Sequence, residues 1–159
     1  MRQVRHSLLA FLAVLFLTSL ALADDLGKLR GELQRESDPV ERAKLTAKLG
    51  DELLKLIAIE YKQEKYKAGE QVLGEYMEAV RTAYRGLQAS GRNARQKPAG
   101  FKHLEIHLRK SGRILEDVSK QAPEEQRERL QRAVGELAGI RAGLLEALMQ
   151  GNPPRQSDI

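Results

Sequence analysis

His103 and His107 stand four residues apart, and His6 is the only other histidine in the chain. On a helix this spacing sets two imidazoles side by side, which is the beginning of a shared metal site. Two nitrogens are not a complete site, and a third donor would have to be a carboxylate from another segment. The Glu-x-x-His pair of carboxylate-bridged dimetal bundles does not occur. His103 and His107 are therefore metal candidates only, and no cofactor is assigned. Ser111 follows His107 by four residues, so a nucleophile beside its base has to be considered. Both would share one rigid helix, Ser111 falls among apolar positions, and no strained turn or Gly-rich loop offers oxyanion donors. The chain has no cysteine, which removes thiol catalysis, Cys-ligated zinc and disulfides. It also lacks a phosphate-binding loop and a dinucleotide fingerprint. No catalytic residue is assigned, and the reading is of a protein that is not an enzyme.

The other concentration of chemistry is electrostatic. Arg92, Arg95, Lys97, Lys102, Arg109, Lys110 and Arg113 face a single acid, Glu105, over residues 92–113. Such a run suits docking on an anionic partner, whether envelope phosphate, lipid headgroups or an acidic protein; the plainer alternative is a solvated helix exterior. Aromatics are 4% of the chain and none interleaves with these cations except Phe101. A base-stacking surface for nucleic acid is not expected.

The first 23 residues have the order of an export signal. Arg2 and Arg5 precede an apolar run from Leu8 to Leu20, and Ala21-Leu22-Ala23 is a small-x-small cleavage site. The run is shorter than the ~20 residues that span a bilayer, so cleavage after Ala23 is expected, with the product periplasmic or secreted. With residues 1–23 gone, two cations and no acid are lost, and the remaining chain is mildly basic.

Beyond Ala23 the apolar residues recur at three and four, and the polar positions hold Glu, Lys, Arg, Gln and Ala, which favour helix. Residues 24–37 form a short amphipathic segment on Leu26, Leu29 and Leu33. Asp38 followed by Pro39 marks a helix start, with Glu41 at the position of a capping-box acid. The pattern predicts helices over about 39–62, 66–90, 99–120 and 123–150, with a tight turn near 63–65 and Gly91 taking the left-handed conformation that ends the second. The tail 151–159 is expected to be disordered. Four such segments with short links are the pattern of an all-α antiparallel four-helix bundle made of two hairpins, and 38–150 reads as one domain. In the last helix Gly135, Gly139 and Gly143 are spaced by four, opposite the Leu130, Leu137 and Leu144 face. Close packing of another backbone, the 26–33 segment or a second subunit, would account for them, the latter making a homodimer; equally, the helix simply tolerates them.

Three stretches resemble known families. Residues from Leu49-Gly50 to Gln63-Glu64-Lys65-Tyr66 resemble a single tetratricopeptide-type hairpin, with Leu53 and Lys62 departing from its pattern. Ala122-Pro123-Glu124-Glu125-Gln126-Arg127 is similar to helix starts in small exported chaperones of the Spy and CpxP class, without their paired Leu-Thr-x-x-Gln motifs. Over most of 24–150, Glu36-Ser37-Asp38-Pro39-Val40-Glu41-Arg42 and Lys97-Pro98-Ala99-Gly100-Phe101-Lys102-His103-Leu104 resemble small exported helical proteins of acidobacterial type. That resemblance implies an all-α exported domain and no activity. The expectation for function is a non-enzymatic protein-interaction or structural module of the cell envelope, whose partner is another protein. The alternatives are a client-binding periplasmic chaperone and a metal-handling bundle using His103 and His107.

Overall fold

The computed structural model describes residues 25–150. The expected signal peptide, its expected cleavage after Ala23 and the expectation of disorder over 151–159 fall on residues outside those described. Among those described there are five helices and no strand: α1 over 25–35, α2 Pro39–Lys62, α3 Tyr66–Ala89, α4 Ala99–Gln121 and α5 Glu124–Gln150.

Local chemistry sets several of the helix ends. At the start of α2, Asp38 Oδ1 accepts from the backbone N–H of Val40 and Glu41 at 2.9 and 3.1 Å. The Asp38 N–H donates to Glu36 Oε1 at 2.8 Å, not to Glu41 as the capping-box spacing suggested. Glu41 turns outward to Lys44 instead. At the other end of α2, the Glu64 N–H donates to the Tyr61 carbonyl and the Lys65 N–H to the Glu60 carbonyl, the paired bonds of a Schellman stop. Glu64 takes the left-handed position with φ 58°, where glycine is usual. Gly91 has φ 64° just beyond α3, as expected. Pro123 lies one residue earlier than predicted relative to its helix: its carbonyl accepts the first bond of α5, from Arg127 at 2.8 Å.

The helices associate as two hairpins, α2 with α3 and α4 with α5, joined along α2 and α4. The buried core runs through all of them, from Leu49, Leu53 and Ile57 through Tyr76 and Val80 to Phe101, Leu104, Leu130, Leu137 and Leu144. Leu26 of α1 belongs to it too, and Arg30 of α1 holds Glu75 of α3 through two bonds of 2.6 and 2.8 Å. The backbones of α3 and α5 hardly meet. Long side chains bridge that side, Arg81 to Glu136 at 2.6 Å and Arg129 to Glu70 at 3.2 Å. Among the described residues, all five helices contribute to this core.

Candidate functional site

The helical repeat of α4 sorts its residues onto two sides. Phe101, Leu104, Leu108, Ser111 and Leu115 are buried, and Lys102, Arg109, Lys110 and Arg113 stand exposed on the outer side with Ile106 between them. Arg95 and Lys97 continue the exposed cations into the connector before α4. Arg92 does not belong with them. It bonds Asp38 Oδ2, so the same carboxylate that caps α2 also pins the connector. Glu105, the single acid of the stretch, is buried and accepts from Arg141 Nε of α5 at 2.8 Å. Its charge is directed into the α4–α5 contact, away from the outer face.

Six cations of the sequence-derived patch, Arg95, Lys97, Lys102, Arg109, Lys110 and Arg113, consequently have no ion pair among the described residues. The contrast with α5 is sharp. Arg127, Arg129, Arg132 and Arg141 are each paired with a carboxylate.

Grooves flank the outer face of α4 on both sides. Between α2 and α4 lies one of about 310 Å³, lined by Lys44, Lys48, Asp51, His103, His107 and Lys110 among others. Between α4 and α5 lies one of about 350 Å³ that includes Arg109, Arg113 and Arg141. Lys48 adds a cation with no described ion pair to the first groove. Sequence reasoning missed it because it is distant in sequence from α4; the signal would have been its place on the exposed side of the helix that packs against α4.

The two histidines part company. His103 is exposed, and its Nδ1 is 2.7 Å from the Ala99 carbonyl one turn back. The His107 side chain is only 3% exposed, with Nδ1 3.2 Å from Asp51 Oδ1. Its Nε2 is 3.2 Å from the Tyr76 hydroxyl and 3.3 Å from Ser111 Oγ. A consistent assignment has Nδ1–H donating to Asp51 and the Tyr76 O–H donating to Nε2, because Ser111 Oγ–H donates to the His107 carbonyl at 2.8 Å. Burial holds the His107 imidazole below its ordinary pKa, Asp51 pulls it upward, and Lys110 adds to the lowering. Burial pushes the Tyr76 phenol well above its usual range. Both nitrogens of His107 are engaged within the fold, while His103 is exposed with its Nδ1 beside the Ala99 carbonyl. Among the described residues no group of three or more His, Asp or Glu side chains is placed to hold a metal.

Asp51, His107 and Ser111 stand in the order of a charge-relay array, and the Asp51 partner was not legible from sequence. Ser111 is completely buried, so its hydroxyl offers no surface to a substrate. The array does mechanical work instead, tying α2, α3 and α4 together at one level of the core. Gly50 makes this possible. A Cβ there would lie 2.5 Å from His107 Nε2 and 2.9 Å from a Tyr76 ring carbon.

The glycine row of α5 is divided. Gly135 and Gly139 are exposed, with nothing within 4 Å of a Cβ placed on either. Gly143 lies under the Tyr84 hydroxyl of α3. Of the alternatives for this row, packing of the 26–33 segment does not occur: Gly135 and Gly139 have open space, the close neighbour at Gly143 is the Tyr84 side chain, and α1 is fastened to α3 through Glu75.

No known family matches the chain, and comparisons with curated proteins and with solved structures find no similar protein.

Proposed function

We propose that the chain is an exported, non-enzymatic interaction or structural module of the cell envelope. In this reading it is an antiparallel four-helix bundle of two hairpins behind a short N-terminal helix, and the outer face of α4 is its docking surface. One observation carries the proposal. Six cations over residues 95–113 have no described carboxylate partner, whereas every cation of α5 is paired within the fold. Cations without internal partners project their field into solvent, which steers an anionic partner to the surface and selects against a basic one. Export rests on the order of residues 1–23, a charged start, an apolar run and Ala21-Leu22-Ala23.

The test is affinity capture from an envelope fraction on immobilised residues 24–159, at about 0.05 M and about 0.5 M salt, where screening shortens from over ten to a few ångströms. Retention of a defined binding partner at low salt and its loss at high salt is the expected result. Retention of a broad set of unfolded chains at both salts would replace this reading with the chaperone one.

A further inference from the structure

The exposed side of α4 also indicates what kind of anionic partner it meets, an inference that rests on this face being the docking surface. We propose that it lies against a layer of anionic phospholipid headgroups.

The first argument is the composition of the face. Cores of specific protein interfaces are enriched in aromatic residues and arginine and depleted in lysine. Here Lys97, Lys102 and Lys110 stand beside Arg95, Arg109 and Arg113. The one neighbouring aromatic, Phe101, is completely buried. The second is the absence of preorganisation. None of these six side chains is fixed by an ion pair among the described residues. A fluid headgroup layer can move its phosphates to meet cations that no internal pair holds, whereas a folded acidic partner is better served by cations held in one geometry.

The third is extent. At 1.5 Å per residue the cations from Lys102 to Arg113 cover roughly 17 Å of helix, and Arg95 and Lys97 prolong the patch through the connector. Clusters of ~4 to 8 cations are what anionic lipid surfaces attract. The fourth is the apolar content of the same side. Ile106 is half-buried between the cations, and Ile114, 39% exposed, borders them on the side toward α2, giving shallow contacts at the headgroup boundary. No helix of the described residues is long and apolar enough to cross a membrane, so the association is peripheral and salt-sensitive.

The experiment is co-sedimentation of residues 24–159 with vesicles. This segment contains the entire described core and omits the apolar run Leu8–Leu20, which would itself enter a bilayer. One vesicle set is phosphatidylcholine alone and the other is phosphatidylcholine with an equal part of phosphatidylglycerol. Binding is expected only to the second. A cation near an anionic surface contributes about a fivefold factor in affinity, so Arg109→Gln with Arg113→Gln weakens binding on the order of 25-fold. Lys65→Gln with Lys67→Gln removes the same charge at the α2–α3 turn and is expected to change binding by less than about twofold, because screening confines the attraction to nearby charges. Circular dichroism of both variants confirms folding.

Equal binding to both vesicle sets, no binding to either, or equal effects of the two double variants would overturn the lipid assignment. If the vesicles are ignored while an acidic protein is still captured in a salt-dependent way, the lipid assignment falls and the docking surface stands. If Arg109→Gln with Arg113→Gln changes neither vesicle binding nor capture, both fall.

Discussion

His107 is the residue on which three helices depend, and its behaviour toward acid follows from its burial. The folded protein holds the imidazole below its ordinary pKa of 6.5. As pH falls below that value the unfolded chain takes up the proton first, so the fold is fully favoured above about pH 6.5 and loses stability as pH falls toward the lower folded pKa. The groups facing the ring are Asp51 of α2, Tyr76 of α3, and Ser111 and Lys110 of α4. Denaturant titrations at about pH 7.5 and about pH 5.5 should show a fall in midpoint for the wild type and a smaller one for His107→Gln. At neutral pH that substitution should cost about 1–3 kcal/mol through lost buried hydrogen bonds. An unchanged pH slope in the variant would assign the effect to other groups. The glycines give a paired test at the same scale. Gly50→Ala pushes a Cβ into His107 and Tyr76 and should destabilise by about 1–3 kcal/mol. Gly135→Ala and Gly139→Ala enter open space and should each gain about 1 kcal/mol in helix propensity. The sequence drew attention to the regular glycine row of α5, where two members are open, and gave no special weight to Gly50, where the neighbour is decisive. Spacing along one helix reports its own face; which face another helix covers is set by packing that a single sequence does not display.

At the scale of elements the sequence is far more legible, because helix ends are set by neighbours within about one turn. Asp38-Pro39 and Gly91 announce their stops and starts through local hydrogen bonding and backbone freedom. The helix ends observed differ from those expected by a single residue at Ser90, Gln121 and Pro123. The misassigned acid at the α2 start is instructive. Glu36 and Glu41 both lie close enough in sequence to return a bond to Asp38, and the chain uses Glu36 while Glu41 pairs with Lys44. At the α2–α3 turn, Glu64 occupies a left-handed position that costs a non-glycine residue roughly 1–2 kcal/mol. Glu64→Gly is expected to raise stability by up to about 1 kcal/mol, the gain being reduced by the greater freedom of glycine in the unfolded chain. A midpoint in urea that falls instead would mean the Glu64 side chain contributes something its backbone position does not reveal.

The whole molecule divides its charges by location. Ion pairs close the side between α3 and α5, where backbones stand apart, and they neutralise α5. The opposite arrangement holds on the first two-thirds of α4, where Glu105 is turned inward to Arg141 and Lys102, Arg109, Lys110 and Arg113 are left to solvent. The acids Glu116 and Asp117 follow at its C-terminal end, Asp117 pairing with Lys120. The run of cations was visible in the sequence, but not the fate of Arg92 and Glu105, since both are committed to residues far away in the chain. Removing those two from the patch alters its meaning: the remaining six cations have no ion pair among the described residues, and an exposed acid, Glu116, stands at the edge of the patch in the α4–α5 groove. Lys48 extends this surface across the α2–α4 groove. The most direct measurement is detergent-free capture from an envelope fraction on residues 24–159, comparing wild type with Arg109→Glu combined with Arg113→Glu and assaying retained protein and lipid phosphate at low salt. Loss of most retained material in the variant, with its circular dichroism unchanged, is the predicted result; equal retention by the two proteins would contradict a docking role for α4.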